Sequence, residues 1–268
     1  MEVEQVKVVL PADTPASPLA PITATLRAVF GTDVLPALAP GLVVDDETGW
    51  APATTLTDGS RLPELLDSAA RLWNGTPHAS AALAWKAYSY WAALPVVLGW
   101  AAARRVPLLE PAATLIHFSD RRTLVTLGLR RSAPVAVLPT DPLALTGSSQ
   151  VRVVADEREL LAALRATLLD AHLSPVISAI QNEVRIGART LLGSVASGIA
   201  QGLLVAADGL PGSAVEAADT LLATLDLADL VELVPGPNGK PTVQRRTCCL
   251  AFTLPKPKVC QGCCIRTP

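Results

Sequence analysis

An α+β fold, mostly helical with a central antiparallel sheet and a carboxyl-terminal cysteine loop, follows from three observations on this 268-residue chain. Apolar residues recur with helical spacing in both halves, and short alternating or β-branched runs fill the middle. All five cysteines fall within seventeen residues near the carboxyl end. Helices, then strands, then helices lack the βαβ alternation of a nucleotide-binding fold. Half of the residues are apolar, yet only three are Phe and two are Tyr. The core is therefore built from Leu, Val and Ala, a composition that leans towards helix.

Residues 6–10 read as a first strand. Residues 22–30 read as a helix approached through Pro15, Pro18 and Pro21, and residues 31–59 are turn-rich. Pro63 opens a helix over 63–73. The apolar stretch 79–103 is interrupted by Lys86, Tyr88, Ser89, Tyr90 and Pro95. A membrane span wants roughly 20 apolar residues with few polar ones, so a buried helix over 80–105, bent at Pro95, is expected instead. The runs 114–118, 123–129 and 135–138 predict an antiparallel sheet, to which 151–154 adds a strand. Asp156 with Glu159 is a capping-box pattern that opens a helix to about His172. A second helix follows Ser174-Pro175, a third covers 191–207, and Ser213 with Glu216 repeats the box before a helix ending near Leu227. Residues 231–234 and 242–244 flank a Pro-Gly-Pro-Asn-Gly turn and predict a hairpin. The chain thus divides into a mainly helical region (1–110), a small sheet region (111–155), a helical region (156–240) and a cluster-binding terminal segment (241–268).

The net charge of -2 argues against a general nucleic-acid binder. No Gly-rich phosphate loop is present and no repeat period emerges. The start carries Glu2 and Glu4 and no long apolar run, so it does not read as a secretory signal, and a cytoplasmic protein without a transmembrane segment is expected. Thiols in that compartment stay reduced, which points a cysteine cluster towards metal. Charge is local. Six acids and no Lys or Arg lie in 190–239, whereas six basic residues and no acid lie in 240–268. Such a tail pairs internally or meets a charged ligand.

The cysteines are Cys248, Cys249, Cys260, Cys263 and Cys264. Cys260-Gln-Gly-Cys263 is a C-x-x-C pair able to converge on one ion. The adjacent pair is different, because neighbouring side chains in extended backbone point to opposite faces. Cys248 and Cys249 either share an iron across a turn or serve two irons. Four thiolates suit a two-iron two-sulfur cluster. They also suit structural zinc, although an adjacent pair fits zinc spacing poorly. Two ferric ions, two sulfides and four thiolates leave two units of negative charge. Arg245, Arg246, Lys256 and Lys258 surround the cysteines in sequence and would stabilise the reduced cluster.

The pattern C-C-x10-C-x2-C near the carboxyl end, matched by Cys248, Cys249, Cys260 and Cys263, resembles the ferric siderophore reductases of the FhuF-like type. Arg245-Arg246-Thr247 and Leu250-Ala251-Phe252 around it look similar. So do His172 to Val176, Arg185-Ile186-Gly187, Arg189 to Ala196, and the helix patch Lys86-Ala87-Tyr88-Ser89-Tyr90-Trp91. Leu192 and Ser194 depart from the family, which often has Trp and Asn there, and Cys264 is an extra cysteine beside the motif. It is either a bystander thiol or a substitute ligand. The resemblance implies a 2Fe-2S cluster that reduces ferric siderophore iron by one electron and releases ferrous iron in the cytoplasm. It implies an external donor, a ferredoxin or a NAD(P)H-dependent reductase. A hydroxamate siderophore, which carries little negative charge, is the expected substrate. The alternatives are a zinc-stabilised module that binds a siderophore or protein partner, and a stand-alone relative of siderophore-synthesising enzymes.

Substrate-binding candidates are Lys86, Arg185 and Arg189. Lys86 lies in an apolar helix and either lines a pocket or snorkels to solvent. Arg185 and Arg189, one helical turn apart, either grip siderophore oxygens or pair with Glu183 and the acidic segment. Trp85, Tyr88 and Trp91 read as core, and His172 reads as structural. His78 and His117 stand apart from the cysteines.

Overall fold

A computed structural model describes residues 17–31, 35–118, 124–236, 239–260 and 262–265. The strand expected at 6–10 lies outside the described residues. Helix α1 (Ala20–Phe30) has Pro21 in its first turn and stops at Gly31, whose left-handed conformation ends the ladder. Strand β1 (Leu38–Val44), a short β2 (Ala51–Pro52) and a single-turn α2 (Thr54–Thr57) occupy the stretch read as turn-rich. Helix α3 (Leu62–Trp73) follows, with Pro63 in its first turn as expected.

Helix α4 (Pro77–Ala103) is the axis of the molecule. Thr76 caps it by accepting the Ala79 N–H at 3.3 Å, and Pro77 stands at its first position. Residues 92 to 100 are buried all round, and the helix packs against α1, α3 and the later helix Ala188–Val205. A helix enclosed on every side has no need of an amphipathic stripe, which explains its long apolar run. The chain leaves through Arg104, held in the left-handed region at φ 52°.

Strands β3 (Arg105–Pro107), β4 (Thr114–Phe118), β5 (Val125–Arg130), β6 (Val135–Val137) and β7 (Val151–Val153) form two sheets. One has the order β1-β5-β4-β2 and the other β3-β6-β7. The α+β class holds, but the expected single antiparallel sheet is corrected to two mixed ones. β4 and β5 pair antiparallel, whereas β1–β5 and β6–β7 are parallel. Pro40 and Gly41 concealed β1 in the sequence. They fall where its register with β5 shifts, on an edge strand, the place in a sheet that tolerates proline.

Asp156 accepts the Glu159 N–H at 2.8 Å, and the Glu159 carboxylate takes the Ala155 N–H at 2.9 Å. This starts α5 (Glu157–Leu164), which runs through a π-helical segment (Arg165–Leu173) into α6 (Ser174–Glu183). The two helices expected around Ser174-Pro175 are thus one continuous helix, Glu157–Glu183. The wide π turns ahead of Pro175 absorb its missing N–H. Helix α7 (Ala188–Val205) and helix α8 (Ala214–Thr224), the latter capped by Ser213, precede the antiparallel hairpin of β8 (Val231–Pro235) and β9 (Pro241–Arg245). Helices Glu157–Glu183 and Ala188–Val205 are long and apolar enough to cross a membrane, but 56% of each apolar window is buried inside the protein, as in core helices.

Three bonds lock the helical layers together. The Trp85 indole N–H donates to the Leu191 carbonyl at 2.8 Å, joining α4 to α7. The Tyr88 hydroxyl lies 2.6 Å from His172 Nε2, and His172 Nδ1 lies 3.0 Å from the Leu109 carbonyl. The carbonyl can only accept, so Nδ1 carries the proton and Nε2 accepts from Tyr88. Burial pushes the His172 pKa down from 6.5 to about 4, only partly offset by the Leu109 carbonyl. The unfolded chain therefore binds a proton near pH 6.5 that the folded chain refuses. Stability from this site is complete above that pH and falls as the pH drops towards 4. Denaturant unfolding should show a loss of up to about 3 kcal/mol over that range, and His172→Gln should flatten it.

Candidate functional site

The site is built where β9 runs into the cysteine segment. Along this stretch burial alternates: Arg245, Thr247 and Cys249 are buried, while Arg246 is exposed and Cys248 half-buried. That is the two-residue period of extended chain continued past the strand end. Leu250, in the left-handed conformation at φ 62°, then turns the chain and brings its N–H to Cys248 Sγ at 3.3 Å.

The second cysteine segment folds back onto β9. The Arg245 N–H donates to the Gly262 carbonyl at 2.8 Å, and the Gln244 side-chain amide donates to the Cys263 carbonyl at 3.0 Å. The Cys263 N–H closes the C-x-x-C turn on the Cys260 carbonyl at 3.0 Å. Gly262 has φ +69°, and a Cβ there would overlap the Val243 carbonyl. Glycine is needed both for the turn and for the approach to β9.

These two folds bring both cysteine segments to the end of β9. Burial pushes the Cys264 thiol up to about 11, with the charges of Cys248 and Cys263 adding to it. Burial, then Cys249, raises the Cys260 pKa, while Lys86 and Arg245 oppose the rise. Among the described residues no three His, Cys, Asp or Glu side chains converge on a single metal ion.

Arg245 is the decisive charge. Its side chain is enclosed, with the residue 4% exposed. One nitrogen, Nη2, donates to Ser194 Oγ at 3.2 Å, while Nε and Nη1 have no hydrogen-bond partner among the described residues. The buried Thr247 hydroxyl has none either. Helix α7 comes this close because Gly193 leaves room for Thr247, which a Cβ would overlap. Unmatched buried donors beside a set of thiols fit an anionic group held by those thiols. Cys248, Cys249, Cys260 and Cys263 are the side chains that would hold such a group, with Arg245 close to Cys260.

Other expected residues fall elsewhere. Arg246 points to the opposite face of β9 and pairs with Glu232 at 3.2 Å, so it does not line the site. Arg185 sits in the exposed loop before α7, not on a helix, and the shared-face argument for it fails. Arg189 pairs with Asp229 of the acidic segment at 2.6 Å, as its ordinary reading had it. Lys256 and Lys258 are exposed on the loop between the cysteine pairs. Lys86 does line a cavity of about 370 Å³ between α4 and α7, with Trp73, Tyr90, Gln201, Arg245 and Cys260. Ser194, which the sequence marked only as a departure from the family, is the hydroxyl that holds Arg245.

No family model matches the chain, and no curated protein matches it. Two solved structures of aerobactin synthetase IucA, from a hypervirulent pathotype of Klebsiella pneumoniae, share its fold. One is 15% identical over 73% of this chain and 37% of the synthetase chain, with a TM-score of 0.50. The ATP-bound form is 14% identical over 86% and 48%, with a TM-score of 0.51. The chain spans less than half the length of either, and at such identity the likeness is one of fold alone.

Gly262→Ala should detach the second cysteine segment at a cost of about 1–3 kcal/mol, spread over the loop and not the helical core. Reaction of the cysteines with a thiol reagent should quicken, while far-ultraviolet circular dichroism stays unchanged. Gly187→Ala, where a Cβ meets nothing, should alter neither.

Proposed function

We propose that this chain is a ferric siderophore reductase that carries a 2Fe-2S cluster on Cys248, Cys249, Cys260 and Cys263. The observation that carries this reading is Arg245, a buried cation with two unused donors beside the gathered thiols. A cluster of net negative charge answers that cation where a neutral thiol set does not. When bound, such a cluster supplies one-electron transfer.

The chain's residues hold charge and distance. Arg245 opposes the negative charge that arrives with an electron, and so raises the potential of the site. Ser194 fixes the guanidinium against α7. The second cysteine segment, clamped on β9, keeps Cys260 at the cavity wall. The reaction moves one electron from the reduced site to Fe(III) of the siderophore complex. No bond is made in that step, so no acid or base is required. The Fe(II) formed has far less affinity for hard oxygen donors and leaves. A ferredoxin or NAD(P)H-dependent reductase returns one electron to the oxidised site.

Hydroxamates fit the charge balance best. Their ferric complexes are close to neutral, and the cavity wall offers two cations, Lys86 and Arg245, rather than the dense basic field that a highly anionic tris-catecholate would call for. The two similar structures are siderophore synthetases by name, which agrees with siderophore chemistry on this fold.

Mixing dithionite-reduced protein anaerobically with a ferric trihydroxamate, in the presence of a ferrous chelator, should reoxidise the protein and trap one Fe(II) per electron. Stopped-flow absorbance follows both partners. Protein that stays reduced for minutes with hydroxamate, catecholate and carboxylate complexes alike would refute the reading.

A further inference from the structure

The cavity beside Cys260 brings together features that bear on where a substrate is held. Its walls come from α4 and α7, which approach closely because Gly198 faces Tyr90 across the gap. Trp73 and Tyr90 give it aromatic sides. Gln201 stands exposed at its rim, and β9 supplies Arg245 at its floor. Among the described residues Lys86 and Arg245 are the charged side chains that line it, no carboxylate does, and no acid pairs with Lys86. An aromatic, cation-floored cavity with no acid is built for a ligand with an apolar body and oxygen donors of partial negative charge.

We propose that this cavity seats the ferric chelate, with Lys86 over its oxygen donors and Cys260 as the point where the electron leaves the protein. This rests on the reductase reading and adds where the substrate binds and which side chain governs it. One electron passes from the site to Fe(III), and the chelate becomes one unit more negative. A lysine ammonium at the oxygens stabilises that state more than the neutral one, so Lys86 contributes both to binding and to the driving force. A cavity of about 370 Å³ takes one face of a hexadentate chelate and leaves the rest in solvent. Recognition is then of the metal–oxygen face and the apolar linkers beside it. Chelates with the same face and different outer groups should be accepted alike.

The test separates binding from electron transfer by using gallium(III), which has the size and charge of ferric iron but is not reduced. Isothermal titration of the purified protein with the gallium complex of a neutral cyclic trihydroxamate should show one site. Lys86→Met should weaken it by about tenfold or more, and Lys86→Arg, which keeps the charge, should restore it to within about threefold. Gln201→Trp, which closes the rim, should abolish binding. Lys240→Met, an exposed lysine near Asp208, should change nothing. Each variant should keep the wild-type visible spectrum and thermal midpoint. Equal binding by wild type, Lys86→Met and Gln201→Trp would overturn the proposal. So would absence of gallium-complex binding in a protein that still reduces the ferric complex, which leaves the reductase reading standing. Absence of both binding and reduction overturns both.

Discussion

A guanidinium keeps its charge at any pH the protein meets, so a buried one without a counter-charge costs several kcal/mol. Arg245 is such a group, given one neutral hydroxyl from Ser194 and nothing for its other nitrogens. The local architecture serves to keep it there. Strand alternation drives Arg245, Thr247 and Cys249 inward and sends Arg246 out to Glu232. Gly193 lets α7 close over the strand end, and Gly262 lets the last cysteine segment clamp onto β9. Negative charge on the neighbouring thiols would relieve that cost, which is why the cation bears on the proposed cluster.

The rest of the fold is a rigid base for this edge. Helix α4 is enclosed by its neighbours, and the Trp85–Leu191 and Tyr88–His172–Leu109 bonds fix it against α7 and the long helix Glu157–Glu183. The proposed one-electron role needs fixed distances more than moving parts. Packing that admits one arrangement supplies them. The cavity between α4 and α7 is a product of the same packing, since small residues on α7 keep the helices close and the aromatic side chains of α3 and α4 wall the gap.

Much of this was legible in the sequence, and the failures have physical causes. The capping pairs Asp156–Glu159 and Ser213–Glu216 located helix starts because a cap is a local interaction. The C-x-x-C spacing marked a turn for the same reason, since the Cys263 N–H closes it on the Cys260 carbonyl. β1 escaped because Pro40 and Gly41 read as turn formers, while the edge position that tolerates them is a tertiary fact. The break expected at Ser174-Pro175 was absorbed by π turns, which leave no sequence signal. Helical spacing placed Arg185 beside Arg189, but the helix begins at Ala188 and leaves Arg185 in the loop. Arg245 and Arg246 looked equivalent in sequence. Their opposite roles come from which face of β9 is covered, and Ser194 entered the site only through the packing of α7 on that face.

Metal and acid-labile sulfide analysis of protein prepared without oxygen, read with its visible spectrum, tests the central claim most directly. If the thiols around Arg245 hold the cluster, the protein is red-brown and carries about two irons and two sulfides per chain. A colourless protein with one zinc per chain and no labile sulfide would contradict the account, because the thiols would then serve a structural ion and the buried cation would need another partner.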